Sequence, residues 1–243
     1  MRIIRTKDYN DMSRKTANMI AAQVMIKPDS LLGLATGASP IGTYKCLVED
    51  YKNGNVDFSK ISSVNLDEYY GIGADNDQSF HYFMNHHFFN HVNIKIENTH
   101  IPNGLAKDPQ KECDEYEEII RSKGGVDLQL MGLGLNGHVG YNEPANELKL
   151  NTHCTDLAPT TIEANKGLFA DISQMPVKAN TMGMGTIMRA KAILLIVSGE
   201  AKAKIVNEAF FGPITTQVPA SLLQLHHNFT IIGDEAAFSQ IPK

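Results

Sequence analysis

The residues best suited to chemistry in this chain lie in one glycine-rich segment, residues 132–144, with the sequence GLGLNGHVGYNEP. It contains His138, the type of side chain that changes charge most readily near neutral pH, and a carboxylate, Glu143, five residues later. Three glycines in its first six residues permit a tight turn and a close approach of the backbone to a ligand. We interpret the segment as a catalytic loop; a glycine-rich turn with a solvated histidine is the alternative interpretation.

A second polar segment, TGASP, follows the apolar run at residues 30–35. Ser39 is suited to cap a helix and Pro40 to begin it. A helix that starts here presents free N–H groups beside the hydroxyls of Thr36 and Ser39 and the flexible Gly37, which is an arrangement suited to phosphate. The segment matches neither a Walker motif nor the full dinucleotide fingerprint. An ordinary capped helix is the alternative interpretation.

Charged residues follow two further apolar runs. Residues 61–66 end at Asp67 and Glu68, whose side chains point in opposite directions along a strand, so that one can face a ligand while the other caps or pairs elsewhere. A carboxylate partly desolvated near a phosphate has a raised pKa and can act as a general base. Residues 192–197 lead to Lys202 in the first turn of a predicted helix, where it can neutralise an anion. A solvated acidic loop and a snorkelling surface lysine are the respective alternatives.

Apolar runs alternate with helical patterns along the chain, which predicts an α/β fold. We predict strands at residues 30–35, 61–66, 126–131, 192–197 and 229–232, and helices at residues 41–51, 79–90, 109–122 and 200–210. Strands separated by helices pair in parallel through right-handed crossovers, so we expect a doubly wound, mostly parallel, Rossmann-like sheet with helices on both faces. Ligands bind such sheets at the carboxyl ends of the strands, where the strand order reverses. No linker or internal repeat is visible, and residues 1–243 are predicted to form a single domain.

Composition and charge restrict the expected partners. The 243 residues are 42% hydrophobic and 20% charged, and 22 basic against 27 acidic side chains give a formal net charge of −5. Without a block of five basic residues, the chain is not expected to bind nucleic acid or an anionic membrane. The N-terminus lacks the apolar core of a signal peptide, and the longest apolar stretch, residues 192–197, is too short to span a bilayer. A cytoplasmic protein is expected.

Cysteines and the remaining histidines are not expected to bind a metal ion. Cys46, Cys113 and Cys154 lie far apart, fit no zinc spacing and are predicted to be reduced, buried thiols. His87 and His91 have the i, i+4 spacing of a helical metal pair, but no HExxH pattern or cysteine accompanies them. An amphipathic aromatic helix is the favoured interpretation of that segment.

Together these segments resemble the glucosamine-6-phosphate deaminase (isomerase) family over nearly the whole chain. The matching segments, in family order, are LGLATGASP at 32–40, NLDEY at 65–69, GLGLNGHVGYNEP at 132–144, MGMGTI at 182–187, GEAKA at 199–203 and LQLH at 223–226. The Asn-Glu-Pro ending of the third long segment distinguishes the chain from the related 6-phosphogluconolactonases. The resemblance implies a deaminating isomerisation of glucosamine 6-phosphate to fructose 6-phosphate and ammonia, with no metal ion and no organic cofactor.

The resemblance also implies a role for each site residue. Asp67 corresponds to the base that moves a proton between C2 and C1 of the open-chain sugar, and His138 to the ring-opening histidine. Glu143 corresponds to the carboxylate that orients His138. Asn136 stands where many members carry aspartate, and an amide can hold a tautomer by a hydrogen bond without supplying charge. The positions that match phosphate-binding residues are Thr36, Gly37, Ser39 and Lys202.

One position departs from the family pattern. Members usually carry an arginine that grips the substrate phosphate in an Ala-Asn-x-Arg-Phe-Phe segment, whereas residues 164–169 read ANKGLF, with Gly167 at that position. The bidentate guanidinium contact is therefore absent, and Lys166 is at best a partial substitute. The departure mildly favours a substrate other than glucosamine 6-phosphate, or a non-catalytic sugar-phosphate sensor. Two features argue against the sensor: the presence of Asp67 and His138, and the absence of a helix-turn-helix extension.

Two properties of the substrate and the assembly stay open at the level of sequence. Galactosamine 6-phosphate differs from glucosamine 6-phosphate only at C4, and no residue can be assigned to C4, so a galactosamine-6-phosphate deaminase is an alternative. The chain ends about ten residues after its last predicted strand. This short tail favours a monomer or a small homo-oligomer.

Overall fold

A computed structural model describes residues 1–169 and 171–241, and its strands and helices alternate along the chain. The strands in the described residues are β1 (Arg2–Thr6), β2 (Leu31–Leu34), β3 (Ser62–Asn65), β4 (Asp67–Tyr70), β5 (Thr99–His100), β6 (Leu128–Met131), β7 (His153–Asp156), β8 (Lys178–Thr181), β9 (Ile193–Val197) and β10 (Phe229–Asp234). The α-helices are α1 (Tyr9–Ile26), α2 (Ile41–Lys52), α3 (Phe80–His87), α4 (Pro109–Ser122), α5 (Pro159–Asn165), α6 (Met184–Met188) and α7 (Ala203–Phe211). Short 3₁₀ segments include Phe89–His91, Lys166–Leu168, Glu200–Lys202 and Pro219–Leu225.

Seven of these strands form one sheet in the order β1-β10-β9-β6-β2-β3-β5, and every neighbouring pair is parallel. From β2 the chain proceeds outward through β3 and β5, whereas from β6 it proceeds through β9 and β10 in the other direction. The strand order therefore reverses between β2 and β6. The predicted doubly wound, mostly parallel sheet is confirmed, and its reversal point is the expected ligand-binding position.

Alternate residues of the buried strands supply two separate cores, one on each face of the sheet. On one face, Leu31 of β2 and Leu195 of β9 pack in the same cluster as residues of α4 and α7. On the other face, Leu32 and Leu34 of β2 pack with residues of α1, α2 and α3. Because successive side chains of a strand point to opposite faces, a strand buried on both sides reads as a continuous apolar run. The prediction of helices on both faces is confirmed.

A second, three-stranded antiparallel sheet, β4-β8-β7, was not predicted. The chain leaves the main sheet at Leu66, whose N–H still donates to Leu34 of β2 while its carbonyl accepts from Met182 N. Asp67 is the first residue of β4 and lies opposite Thr181 of β8. The residues that follow β3, for which a solvated acidic loop was the alternative interpretation, are therefore held in a strand that pairs with a segment more than 100 residues later in the chain.

The N-terminal elements were also not predicted. β1 lies at the edge of the large sheet beside β10. In α1 the buried residues include Met12, Ile20 and Val24, which recur at helical spacing. Asp8 caps this helix, since its side chain accepts a hydrogen bond from Asp11 N at 2.9 Å. Among the helices of the described residues, none combines the length and apolar character needed to cross a membrane.

Candidate active site

Four consecutive strands of the large sheet, β9-β6-β2-β3, bring together the four polar segments that the sequence places after apolar runs. β2 leads into the TGASP segment, β6 into the loop at residues 132–144, β3 into Asp67, and β9 into Lys202. Since these strands are parallel, their carboxyl ends meet at one edge of the sheet. The predicted site residues therefore converge around the point where the strand order reverses.

The loop at residues 132–144 reaches Asp67 through Gly140. Gly140 has a φ of +57°, and a β-carbon there would lie 2.8 Å from Thr181 Oγ1 and 3.4 Å from Asp67 Oδ2. The backbone N–H of Tyr141 donates to Thr181 Oγ1 at 3.0 Å. Glycine at position 140 thus allows the loop to pack directly against β4 and β8, with the Asp67 carboxylate at the contact.

Asp67 is buried, with 7% of its surface exposed, yet its carboxylate accepts no hydrogen bond from any residue that the structure describes. Burial, and after it the negative charge of the adjacent Glu68, raise the pKa of Asp67 to about 8. Near pH 8 such a carboxyl group exchanges a proton readily, and its ionised form is a stronger base than an ordinary aspartate. The environment suits a general base.

Glu68, the next residue, has a different role. It accepts hydrogen bonds from the backbone N–H groups of Phe80 and His81 at 3.0 Å each, and its Oε2 lies 2.9 Å from His81 Nδ1. These N–H groups belong to the first turn of α3, so Glu68 satisfies donors that have no partner within the helix. The alternation expected for a strand is observed: Asp67 faces the loop, and Glu68 binds the start of a helix.

The imidazole of His138 is held on two sides. It packs against Gly134, where a β-carbon would lie only 2.3 Å from His138 Cδ2, so no other residue type fits at position 134 without displacing the ring. His138 Nδ1 lies 3.1 Å from Glu143 Oε2. Asn136 donates to the same oxygen at 2.7 Å and accepts from His138 N at 3.2 Å. The structure therefore brings together the three residues predicted to act in ring opening.

Glu143 is also contacted by a residue that the sequence did not indicate. Thr161, which is buried in α5, donates a hydrogen bond from Oγ1 to Glu143 Oε1 at 2.5 Å. Burial alone raises the pKa of Glu143, but the contacts with His138, Thr161 and Asn136 outweigh burial and lower the pKa to about 2. Glu143 is therefore ionised at neutral pH. Thr161 belongs to none of the recognised segments, so no motif signalled its role.

The TGASP segment differs from its prediction at the start of the helix. α2 begins at Ile41 with Pro40 at the N-cap, and no side chain caps it. Pro40 already has helical φ and ψ values of −84° and −6°, and the Ser39 hydroxyl makes no capping bond. The N–H of Gly42 donates to Tyr9 OH at 2.8 Å, so one of the N–H groups expected to be free is occupied.

Two tyrosines, the half-buried Tyr9 and the fully buried Tyr44, hold the same segment in place. The Tyr9 hydroxyl, which accepts from Gly42, donates to Ala38 O at 3.1 Å. The Tyr44 hydroxyl donates to Ala35 O at 2.6 Å. The segment between these anchors contains Thr36, Gly37 and Ser39, of which Gly37 is exposed and has a φ of +87°. A β-carbon at Gly132 would lie 3.9 Å from Ser39 Oγ, so the segment adjoins the catalytic loop.

Lys202 approaches the catalytic loop from the other side. Its ammonium group donates a hydrogen bond to Leu133 O, and burial lowers its pKa. The preceding turn is fixed by Asp234, which accepts from Gly199 N at 3.0 Å and from the Ser198 hydroxyl. Ser39 therefore adjoins Gly132 from the β2 side of β6, and Lys202 contacts Leu133 from the β9 side.

Gly167 marks an open position. It is exposed, a β-carbon there would meet no atom of the described residues within 4 Å, and its backbone is not in the left-handed region. Neither packing nor backbone conformation therefore requires glycine. The neighbouring Lys166 forms an ion pair with Glu163. The ammonium group of Lys166 is consequently directed to a carboxylate of the preceding helix, α5.

The cysteines and the histidine pair lie outside this site. Cys113 is buried and burial raises its pKa to about 12, while Cys46 and Cys154 are partly buried with pKa values also raised by burial. These thiols are therefore neutral at physiological pH. His91 falls in the 3₁₀ segment after α3, where its Nε2 lies 2.7 Å from His86 O. The helix is shorter than predicted, so His87 and His91 do not share one α-helical face.

Comparison with known proteins agrees with this geometry. The family described as glucosamine-6-phosphate isomerases/6-phosphogluconolactonase matches residues 7–232. A glucosamine-6-phosphate deaminase of Thermoanaerobacter sp. (strain X514) is 51% identical over 242 residues, covering 100% of this chain and 96% of the relative. A glucosamine-6-phosphate deaminase of Lachnoclostridium phytofermentans is 52% identical over 232 residues, covering 96% and 98% respectively.

Solved structures give the same result. A structure described as a monomeric glucosamine-6-phosphate deaminase has a TM-score of 0.96 at 42% identity and covers 99% of this chain and 100% of its own. A 6-phosphogluconolactonase from Thermotoga maritima has a TM-score of 0.76 at 22% identity and covers 96% and 98%, which shows a shared fold. The chain belongs to the glucosamine-6-phosphate isomerase and 6-phosphogluconolactonase family.

Proposed function

We propose that this protein converts glucosamine 6-phosphate and water into fructose 6-phosphate and ammonia. One observation carries the proposal: a buried carboxylate without a hydrogen-bond donor among the described residues, Asp67, contacts the loop that presents the His138–Glu143 pair. The reaction needs an acid–base group at the sugar ring and a separate base at C2. The two parts of the site supply groups of these two kinds. The relatives named as glucosamine-6-phosphate deaminases support the same substrate.

Ring opening is assigned to His138. An ionised carboxylate only accepts hydrogen bonds, so an imidazole with one N–H group carries it on Nδ1 and donates a hydrogen bond to Glu143. Nε2 is then an acceptor. It can take the proton of the anomeric hydroxyl and deliver it to the ring oxygen as the C1–O bond of the ring breaks, which yields the open-chain aldehyde. Glu143 stabilises the transient imidazolium, and Asn136 holds the carboxylate in position.

Isomerisation and deamination are assigned to Asp67. The ionised carboxylate removes the proton from C2, and the electron pair forms a C1–C2 double bond. The π pair of the C1 carbonyl moves to its oxygen, which takes a proton from water, and the product is an enolamine. Return of the proton to C1 leaves a C=N bond at C2. Water then adds to C2 and ammonia departs, which produces the ketose. The raised pKa of Asp67 suits both steps, because the group must accept a proton and then return it.

Phosphate binding is assigned to Thr36, Gly37, Ser39 and Lys202. The position of Gly167 leaves this end of the site without a guanidinium group, so the hydroxyls, the backbone at Gly37 and the ammonium of Lys202 must hold the phosphate. We also infer that the chain acts as a monomer, as the similar structure described as monomeric suggests. Sedimentation velocity of the purified chain measures its mass directly.

The decisive experiment is an ammonia-release assay on the purified chain with glucosamine 6-phosphate and galactosamine 6-phosphate in parallel over a wide concentration range. Release from the first substrate with an ordinary KM supports the proposal. Release only from the second retains the mechanism and changes the C4 epimer. If neither substrate yields ammonia but either one binds in calorimetry, the proposal is wrong and a sugar-phosphate sensor is the better description.

A further inference from the structure

The Glu143 carboxylate is held by donors on both of its oxygens. Oε2 accepts from Asn136 Nδ2 at 2.7 Å and faces His138 Nδ1 at 3.1 Å, and both of these groups lie in the same loop as Glu143. Oε1 accepts from Thr161 Oγ1, which comes from a different element, α5. Two contacts on the same oxygen do not prevent the carboxylate from rotating about χ3 of Glu143. The hydrogen bond to Oε1 therefore fixes the plane of the carboxylate.

We infer that Thr161 is a positioning residue for the proposed reaction: its hydroxyl holds the Glu143 carboxylate in the plane that presents Oε2 to His138. Thr161 is buried, with 4% of its surface exposed. A buried carboxylate oxygen deprived of its donor is costly, so the bond between Thr161 and Glu143 is expected to be maintained. The kinetic part of this role rests on the proposed function; the contact itself does not.

α5 can hold the hydroxyl in place because it is anchored independently. The residue after Thr161, Ile162, packs against a small apolar cluster that contains Tyr69 and Tyr141. Beyond the helix, Phe169 meets the ring of Tyr69 edge-on, with 5.8 Å between ring centroids. Tyr69 lies in β4, two residues after Asp67. The same cluster therefore supports both the strand that carries Asp67 and the helix that positions Glu143.

The charges around this contact favour the same arrangement. Among the described residues, His138 is the titratable group that touches Glu143. On α5 itself, Glu163 is paired with Lys166. The negative charge of Glu143 is therefore stabilised by its hydrogen-bond donors and by the imidazolium that forms during ring opening. Because few groups share this task, each hydrogen bond to the carboxylate matters more.

The test compares three variants of the full chain. Thr161→Val keeps the branched shape of the side chain and removes the hydroxyl; Thr161→Ser keeps the hydroxyl and removes the methyl group. Thr160→Val is the matched control, because Thr160 is exposed on the same helix. We expect Thr161→Val to lower kcat about tenfold, the effect of losing one hydrogen bond to a charged group, with KM changed by less than about twofold. Thr161→Ser should recover most of kcat, and Thr160→Val should match the parent protein.

A spectroscopic measurement separates this role from the proposed function. The proton on His138 Nδ1 is followed by NMR without substrate and assigned by its loss in His138→Gln. Thr161→Val should shift or broaden this resonance, and Thr161→Ser should restore it. An unchanged resonance in Thr161→Val would overturn the positioning role, as would a Thr161→Ser enzyme as slow as Thr161→Val. If the parent protein released no ammonia, the resonance would still test the contact.

Discussion

The two carboxylates that we propose act in catalysis, Asp67 and Glu143, occupy opposite environments although both are largely buried. Asp67 lies where β3 passes into β4 and accepts no hydrogen bond within the described part of the chain. Glu143 lies in the glycine-rich loop and is contacted by Thr161, Asn136 and His138. Burial raises the pKa of Asp67 to about 8, while the contacts of Glu143 outweigh burial and lower its pKa to about 2.

This difference shows that the supply of donors, more than burial, separates the two carboxylates. A carboxylate without donors holds a proton more tightly and suits proton transfer to and from carbon. A carboxylate with three donors stays ionised and suits the orientation of an imidazole. Environments that drive the pKa values of neighbouring groups apart are a general way to assign such roles.

The largest expected effect follows from removing the base. Asp67→Asn should lower kcat roughly 10³-fold and abolish exchange of the C2 hydrogen with solvent, because an amide cannot accept the proton. Calorimetry should show substrate binding little changed. Ammonia release and hydrogen exchange in D₂O measure the two losses, with Asp75→Asn, at an exposed aspartate, as the control. Retained exchange in Asp67→Asn would remove Asp67 from the C2 step.

The pH dependence of stability should have opposite signs for the two carboxylates. Asp67 keeps its proton up to a pH of about 8 when folded but loses it near 3.8 when unfolded. The folded state therefore binds more protons between these values, and the free energy of unfolding falls as the pH rises through this window. Asp67→Asn should remove this fall. In urea denaturation, the free energy of unfolding of the variant minus that of the parent protein should therefore be a few kcal/mol larger at pH 8 than near pH 4.

Glu143 contributes in the other direction, since its pKa is lowered from 4.5 to about 2. Its contribution to stability is present above pH 4.5 and is lost as the pH falls towards 2. Glu143→Gln should therefore differ from the parent protein less in acid than at neutral pH. Stability curves for Asp67→Asn and Glu143→Gln that ran parallel to the parent curve at every pH would contradict the contrast between the two environments.

Removing the charge of Glu143 should affect turnover less than removing Asp67. We expect Glu143→Gln to lower kcat about 10²-fold, because the imidazolium formed during ring opening loses its counter-charge while the shape of the side chain is kept. Glu147→Gln is a suitable control, since Glu147 lies four residues further on and its side chain is 83% exposed. Parent-like ammonia release by Glu143→Gln would show that hydrogen bonding alone, without charge, orients His138.

A smaller effect is expected from the neighbour of Asp67. The charge of Glu68 is the second cause of the raised Asp67 pKa, after burial. Glu68→Gln should lower the pKa of Asp67, so the limb of kcat/KM that rises towards pH 8 should move to lower pH by about one pH unit. The position of this limb does not depend on the amount of folded enzyme. An unmoved limb would mean that burial alone sets the pKa of Asp67.

The smallest effect is expected at the phosphate end of the site. Gly167→Arg adds a guanidinium at a position where a β-carbon would meet no atom of the described residues and the backbone is not left-handed, and we expect KM to fall roughly threefold with kcat unchanged. Gly167→Ala, which adds no charge, should behave like the parent protein. A KM that stays the same in Gly167→Arg would show that the phosphate binds beyond the reach of this residue.

Prediction from sequence succeeded where the signal is local. The strands at residues 31–34 and 193–197 are continuous apolar runs, and the polar residues that follow them sit at the same sheet edge as His138. It failed for the antiparallel sheet, because β7 and β8 have the sequences HCTD and KANT and no apolar alternation. These segments form strands because β8 pairs with both β4 and β7, and a pairing between distant segments leaves no pattern in the local sequence.

Sequence by itself determined the parallel α/β architecture and the family, and it supplied the candidate acid–base residues. Periodicity, turn residues and motif spacing are properties of neighbouring positions, and these suffice to place Asp67, His138 and Glu143 at strand ends. Only the tertiary structure decided which carboxylate is protonated more easily, that Thr161 completes the contacts of Glu143, and that Lys166 is paired elsewhere. Burial and hydrogen-bond donors from distant segments set those properties, and they exist only once the chain has folded.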